Sequence, residues 1–179
     1  MSGTIRSFHA YRGTNAWEAD QFARHGKLHK STKDEEYLGH GIYFFENSQQ
    51  EAYFFVRYSR GLDPRNIRVI YALIQAEKER IFDLYEPKGF EAYITAILTL
   101  AARYAGTPQA LDLDMDNPVD CGLLNDMCDR EGYQFVRAQF NPSHTMGGIL
   151  ADYGITRITR AHIQLCVRDE VIIKEAKVL

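Results

Sequence analysis

The feature that most constrains the fold is a block of helical periodicity set in the middle of the chain, between strand-like ends. Pro87 to Ala105 carries Phe90, Ile94, Ile97, Leu98, Ala101 and Tyr104 at helical spacing, and Gly106 with Pro108 stops it. Asn117 and Pro118 read as N-cap and first residue of a second helix over Val119 to Arg130, with Val119, Leu123 and Met127 at i, i+4 and i+8. Upstream, Ile5 to Arg12 (IRSFHAYR) reads as a strand closed by Gly13. Asn66 to Ala76 (NIRVIYALIQA) is apolar with little regard to period, the mark of a central strand that needs cover on both faces. Downstream come YQFVRAQF, the turn-rich NPSHTMGG, RAHIQLCV and EVIIKEAKV.

Two further helices start in the N-terminal part. Asn15 with Glu18 forms a capping-box-like start to a helix that Gly26 ends. Ser48 with Glu51 repeats the device, with Ala52, Phe55 and Val56 on one face, and that helix runs out near Gly61. Four or five strands, two N-terminal helices and a helical insertion over about residues 87–131 predict an α+β fold. At 179 residues the expectation is a single domain, residues 1–179.

Twenty-one basic against 24 acidic residues give a formal net charge of -3, which argues against constitutive binding to a polyanion. No run approaches the roughly 18 apolar residues of a membrane helix, and MSGTIRSFHA lacks a signal-peptide pattern, so a cytoplasmic protein is expected. Cys121, Cys128 and Cys166 lack CxxC spacing and lie in apolar patterns, which suits reduced core thiols. Asp112, Asp114 and Asp116 lack the glycine and closing glutamate of a calcium loop and read as a solvated linker; no pattern specifies a metal.

Three separated segments carry candidate chemistry: Tyr11-Arg12-Gly13-Thr14, then Tyr37-Leu38-Gly39-His40-Gly41-Ile42-Tyr43-Phe44, then His162-Ile163-Gln164. In their order and context, AYRGT, NAWEADQFARHGKL and EYLGHGIYFFENSQQEAYFF resemble the ADP-ribosyltransferases of the poly(ADP-ribose) polymerase and diphtheria-toxin type. The resemblance spans roughly residues 8 to 56 and resumes in the last strands. VDCGLLND, FVRAQF and HIQLCVRDE further resemble a compact bacterial subgroup of toxin-like members of toxin-antitoxin and antiviral defence systems.

That resemblance implies a split β-sheet core and NAD⁺-dependent mono-ADP-ribosyl transfer with release of nicotinamide. Arg12, Gly13, Thr14, Tyr37 and Tyr43 would bind NAD⁺ as co-substrate, without a metal. Gly13 would grip the carboxamide with its backbone, Tyr43 would supply one stacking face and Tyr37 the other or a hydroxyl contact, and Thr14 would meet the adenosine ribose. Arg12 stands where the family has histidine, and Gln164 where it has the catalytic glutamate. Glutamine holds a hydroxyl but supplies no charge, which makes His162, on the same strand face, the first candidate for acceptor contact or proton removal, the other reading being a strand histidine that only packs and bonds to backbone. Glu46 and Glu170 are reserve carboxylates, and Arg137 would meet a phosphate if it points inward, although an exposed arginine is the commoner outcome. Arg57 and Arg60 interleave with aromatics in YFFVRYSRG, as on a single-stranded nucleic-acid surface, though at helical spacing such aromatics are mostly core. Expected partners are an acceptor nucleic acid, RNA favoured, or a protein, together with an antitoxin. The alternative is a non-catalytic NAD⁺- or nucleotide-binding or interaction module on the same fold.

Overall fold

The computed structural model of the chain describes residues 3–104, 119–140 and 161–179. Asp112, Asp114, Asp116, the Asn117–Pro118 cap and NPSHTMGG lie outside them. Strands β1 (Ile5–Asn15), β2 (Ile42–Glu46), β3 (Ile67–Glu77), β4 (Ile81–Asp83), β5 (Phe135–Phe140), β6 (His162–Val167) and β7 (Ile173–Val178) form one mixed sheet. Its order is β4-β5-β6-β2-β1-β3-β7. Every neighbouring pair is antiparallel except β4 with β5. Four α-helices accompany the sheet among the described residues: α1 (Ala16–His25), α2 (Gln49–Phe54), α3 (Pro87–Tyr104) and α4 (Val119–Glu131). The fold is thus mixed α and β, with more strands than the sequence pattern counts, because β2 and β4, of five and three residues, are too short to show a period.

Local chemistry explains the helix starts. Asn15 Oδ1 accepts the Glu18 N–H and Ser48 Oγ accepts the Glu51 N–H, each satisfying an otherwise orphaned donor. Gly26 ends α1 at φ 67°, a left-handed value that suits glycine. After Phe54 the chain widens into a π-helical turn, Phe55–Ser59. β1 runs on through Gly13 to Asn15, so Gly13 does not close the strand.

Period-two alternation gives the sheet two distinct faces. On one, Phe8, Ala10, Ile42, Phe44, Phe135, Leu165 and Val167 form an apolar core, and α1 packs by Ile70 and Thr14. On the other, α2 covers β1 and β3, while α4 buries Leu124, Met127 and Cys128 against Val136, Ala138 and Cys166. The buried side of α4 is therefore centred on Leu124 and Cys128, with Leu123 only packed at its margin. The three cysteines are free and buried. In α3, Phe90, Ile94 and Leu98 are exposed despite their helical spacing. Among the described residues no helix is long and apolar enough to cross a membrane.

Candidate functional site

β1 pairs with β3 along its whole length, from Ile5–Glu77 to Asn15–Ile67, but with β2 only at Ala10–Glu46 and Tyr11–Phe45. Beyond that point the two strands part. The direction of the peptide groups at the parting follows from two bonds. Asn47 N–H donates to His9 C=O, so His9, and by alternation Tyr11 and Gly13, turn their peptide groups toward β2. Val69, opposite Gly13, gives its C=O to Leu179 N–H on the far side of β3. Gly13 thus presents its N–H and C=O to the opening.

Two groups line the other side of the gap. Gly41 is bridged to Ser31, N–H to C=O in both directions. Next along β2, the Tyr43 carbonyl accepts from Arg12 Nη1 at 3.3 Å. Burial, and Arg60 nearby, push the Arg12 guanidinium below its ordinary pKa, while Glu18 and Glu36 act the other way; an arginine stays charged regardless.

A Cβ on Gly13 would lie 2.0 Å from the carbonyl oxygen of Ala52. Glycine is required here by the approach of α2 to the sheet, a packing reason that the sequence reading, which invoked only close ligand approach, does not contain. Gly41 is similarly confined, its absent Cβ falling 2.4 Å from Cys166 Sγ.

The face that α2 and α4 flank holds Tyr43, Phe45, His162 and Gln164. Gln164 pairs with Phe45 across β2 and β6, and its Nε2 lies 2.8 Å from His162 Nε2, as the shared strand face predicts. His162 is wedged between the rings of Phe45, at 5.2 Å, and Phe140, at 6.0 Å, and Phe140 in turn meets Tyr37 at 6.4 Å. Burial lowers the His162 pKa, so the ring is neutral near pH 7. Its Nδ1 is buried without a hydrogen bond among the described residues.

Tyr43 supplies a ring but no available hydroxyl. Its Oη donates to Gly39 C=O at 2.7 Å and accepts the Leu38 N–H at 3.0 Å, and burial drives its pKa upward. The phenol therefore shapes the loop that carries Tyr37, which is 68% exposed.

Thr14 and the side chain of Arg12 belong to the opposite face, so these predicted binding residues approach the opening from two sides. Thr14 is buried and its hydroxyl donates to Glu18. A cavity of about 360 Å³ beside it is lined by Arg12, Trp17, Glu18, Gln21, His25 and Lys27, among others.

Both reserve carboxylates sit elsewhere. Glu46 is bound by Arg137, with Nε to Oε2 at 2.6 Å, and Glu170 is exposed on the turn between β6 and β7. Arg137 does point inward, and contrary to the commoner outcome it is buried, but its partners are Glu46 and Asp83, the latter at 3.1 Å, and Arg6 closes on the same Asp83. It has no spare charge for a phosphate.

The carboxylates near the opening are ones that sequence reasoning read only as helix starters or not at all. Glu51 is 2% exposed on α2, immediately before Ala52, and its carbonyl receives the N–H of Phe55, whose ring meets Phe45 at 5.6 Å. Glu36, which accepts from Ser31 Oγ, acts electrostatically on both Arg12 and Tyr43. The only signal for Glu18 and Glu51 in the sequence was their N3 position, which spoke of capping. No family model, curated protein or solved structure matches this chain.

Proposed function

We propose that the chain is an NAD⁺-dependent mono-ADP-ribosyltransferase with a split-sheet core of the poly(ADP-ribose) polymerase and diphtheria-toxin type. The observation that carries this reading is the parting of β1 from β2 after Tyr11–Phe45, which turns the peptide group of Gly13 into an edge of one donor and one acceptor beside the Tyr43 ring. A primary carboxamide is the complement of that edge, since it offers one acceptor and one donor in a plane. In this reading Gly13 holds the nicotinamide amide, Tyr43 and Tyr37 border the ring, and Arg12 binds ribose or pyrophosphate. The cavity beside Thr14 takes the adenosine end, with Trp17 at its rim.

In the reaction, the bond from ribose C1′ to the nicotinamide nitrogen breaks and its electron pair leaves with nicotinamide. An acceptor nitrogen or oxygen then bonds to C1′ and gives up its proton. The neutral ring of His162 is the base: its Nε2 lone pair, which accepts from Gln164 Nε2 at rest, takes the acceptor's proton once the amide swings to a ribose hydroxyl. Positive charge gathering on the ribose is met by Glu51, the buried carboxylate of α2. With glutamine at position 164 the enzyme makes a single transfer, with no polymer elongation. The acceptor is a nucleic acid, RNA favoured, or a protein, as expected of a toxin-like effector with an antitoxin partner.

A second reading is favoured by the Gln164–His162 bond, which leaves the late strand without a charge: a non-catalytic NAD⁺- or nucleotide-binding module. Incubation of the protein with labelled NAD⁺ and, separately, total RNA, single-stranded DNA and a cell lysate separates the two. Label on one acceptor class, lost in Tyr43→Ala and Arg12→Ala, supports the transferase. NAD⁺ binding without label or nicotinamide release supports the module.

A further inference from the structure

Away from the opening, the loop between α1 and β2 meets the start of α4 at a group of three different ligand types. We propose that Asp34, His40 and Cys121 form a site for a zinc-like divalent ion that fastens the Tyr37 loop to α4. One carboxylate oxygen, one imidazole nitrogen and one thiol sulfur lie within 4.8 Å of one another. His40 Nε2 is already 3.4 Å from Asp34 Oδ1. Tetrahedral zinc with bonds of about 2.0–2.3 Å sets its ligands roughly 3.3–3.8 Å apart, so closure needs a shift of about 1 Å. Asp34, on the exposed part of the loop, is free to make that shift.

Two observations favour an ion over a chance meeting. His40 Nε2 is a buried atom that makes no hydrogen bond among the described residues, which is costly for an imidazole unless something binds it. Cys121 Sγ is buried with only long contacts, 3.6 Å to Lys33 C=O and 3.5 Å from Asn125 Nδ2. Asn125 serves both ligands, since its Oδ1 accepts the His40 N–H at 2.8 Å while its Nδ2 faces the sulfur. Such an outer residue fixes ligand orientation before the ion arrives.

The donor set selects the metal. Thiolate, imidazole and carboxylate together suit Zn²⁺ and not Mg²⁺ or Ca²⁺, which take oxygen shells, and three protein ligands leave the fourth position to water. Binding releases the Cys121 thiol proton to solvent. Because the Tyr43 hydroxyl is tied to Gly39 in the same loop, the ion would stiffen one wall of the opening without entering it.

The test is titration of the untagged, chelator-treated full chain with Co²⁺, followed by Zn²⁺. The expected result is one Co²⁺ per chain with a thiolate-to-cobalt charge-transfer band, displaced by Zn²⁺, lost in Cys121→Ser and weakened at least tenfold in His40→Gln. Zn²⁺ should also raise the thermal midpoint of the wild type alone. Absence of the band, or its survival in Cys121→Ser, overturns the site. Should Cys121→Ser fail to fold, Asp34→Asn decides, since Co²⁺ affinity unchanged in both Asp34→Asn and His40→Gln overturns it equally. None of these readouts depends on transferase activity.

Discussion

Arg12 reaches across the parting of β1 and β2 and donates to the carbonyl of Tyr43 at 3.3 Å. The bond is long for an N–H···O contact, and it engages only one of the guanidinium's five donors among the described residues, on a side chain that also lines the cavity beside Thr14. Arg12→Ala should therefore weaken NAD⁺ binding by roughly 10- to 100-fold, the scale of one or two charged hydrogen bonds. Arg12→Lys should restore little, because an ammonium cannot bridge Tyr43 and a ligand with a planar fork. Calorimetric titration with NAD⁺ checks this, and wild-type affinity in Arg12→Ala would remove Arg12 from the site.

Gly13 carries a packing demand separate from any ligand. With a Cβ placed 2.0 Å from the Ala52 carbonyl oxygen, Gly13→Ala must push α2 off the sheet, and overpacking of this kind costs about 1–3 kcal/mol or more against unyielding backbone. Gly26→Ala meets nothing within 4 Å and costs only the left-handed backbone, about 1 kcal/mol. Urea unfolding should rank Gly13→Ala as the less stable variant; the reverse order would mean that α2 does not press on β1.

The contrast between these two glycines shows which parts of the molecule were legible in the chain. Gly26, Asn15 and Ser48 act on residues a few positions away, so helix ends could be read locally. His162 and Gln164 share a face because strand alternation is rigid, and that too was legible. What pattern does not contain is where two strands stop pairing. Arg12 and Tyr43 adjoin only because the ladder opens after Tyr11–Phe45, and Arg137 finds its partners 54 and 91 residues away. Phe90, Ile94 and Leu98 make the same point, since their spacing specifies a helix and not which side of it is covered.

Arg137 should matter for stability rather than for turnover. Its guanidinium bonds to Glu46 and Asp83 and stacks 4.8 Å from the Tyr85 ring, with all three charged groups nearly sealed from water. Arg137→Met leaves Glu46 without its cation and Asp83 with Arg6 alone, a loss of about 3–5 kcal/mol. The triple change Arg137→Met, Glu46→Gln, Asp83→Asn should recover a large part of it, and denaturant midpoints of the two variants measure the difference.

His162 makes stability depend on pH in a definite direction. Burial lowers its folded pKa below the ordinary 6.5, so above that value both folded and unfolded states are neutral and pH has no effect through this group. As pH falls below about 6.5 the unfolded chain takes up the proton first, and stability is lost until the lowered folded value is reached, by at most about 1.4 kcal/mol per pH unit. His162→Phe keeps the contacts with Phe45 and Phe140 and should remove this part of the acid-side decline. The wild-type and variant urea midpoints, compared from about pH 5 to 8, should diverge only at the acid end; parallel curves would mean the ring is solvated.

The placement of negative charge decides whether the opening supports chemistry. Glutamine at 164 bonds to His162 and would leave the ribose cation of the proposed transfer unopposed, whereas Glu51 lies buried beside Ala52, whose carbonyl presses on Gly13. Loss of a charge that opposes a developing cation costs roughly 10²–10³ in turnover when the geometry is preserved, so if Glu51 has the role proposed for it, Glu51→Gln should lower kcat for nicotinamide release on that scale with little change in KM for NAD⁺. Adding Gln164→Glu to that variant should restore part of the rate, because the new carboxylate would stand on the same face of the sheet as Tyr43 and His162. Full activity in Glu51→Gln would assign the charge elsewhere, with Glu36 next in line because it acts on both Arg12 and Tyr43.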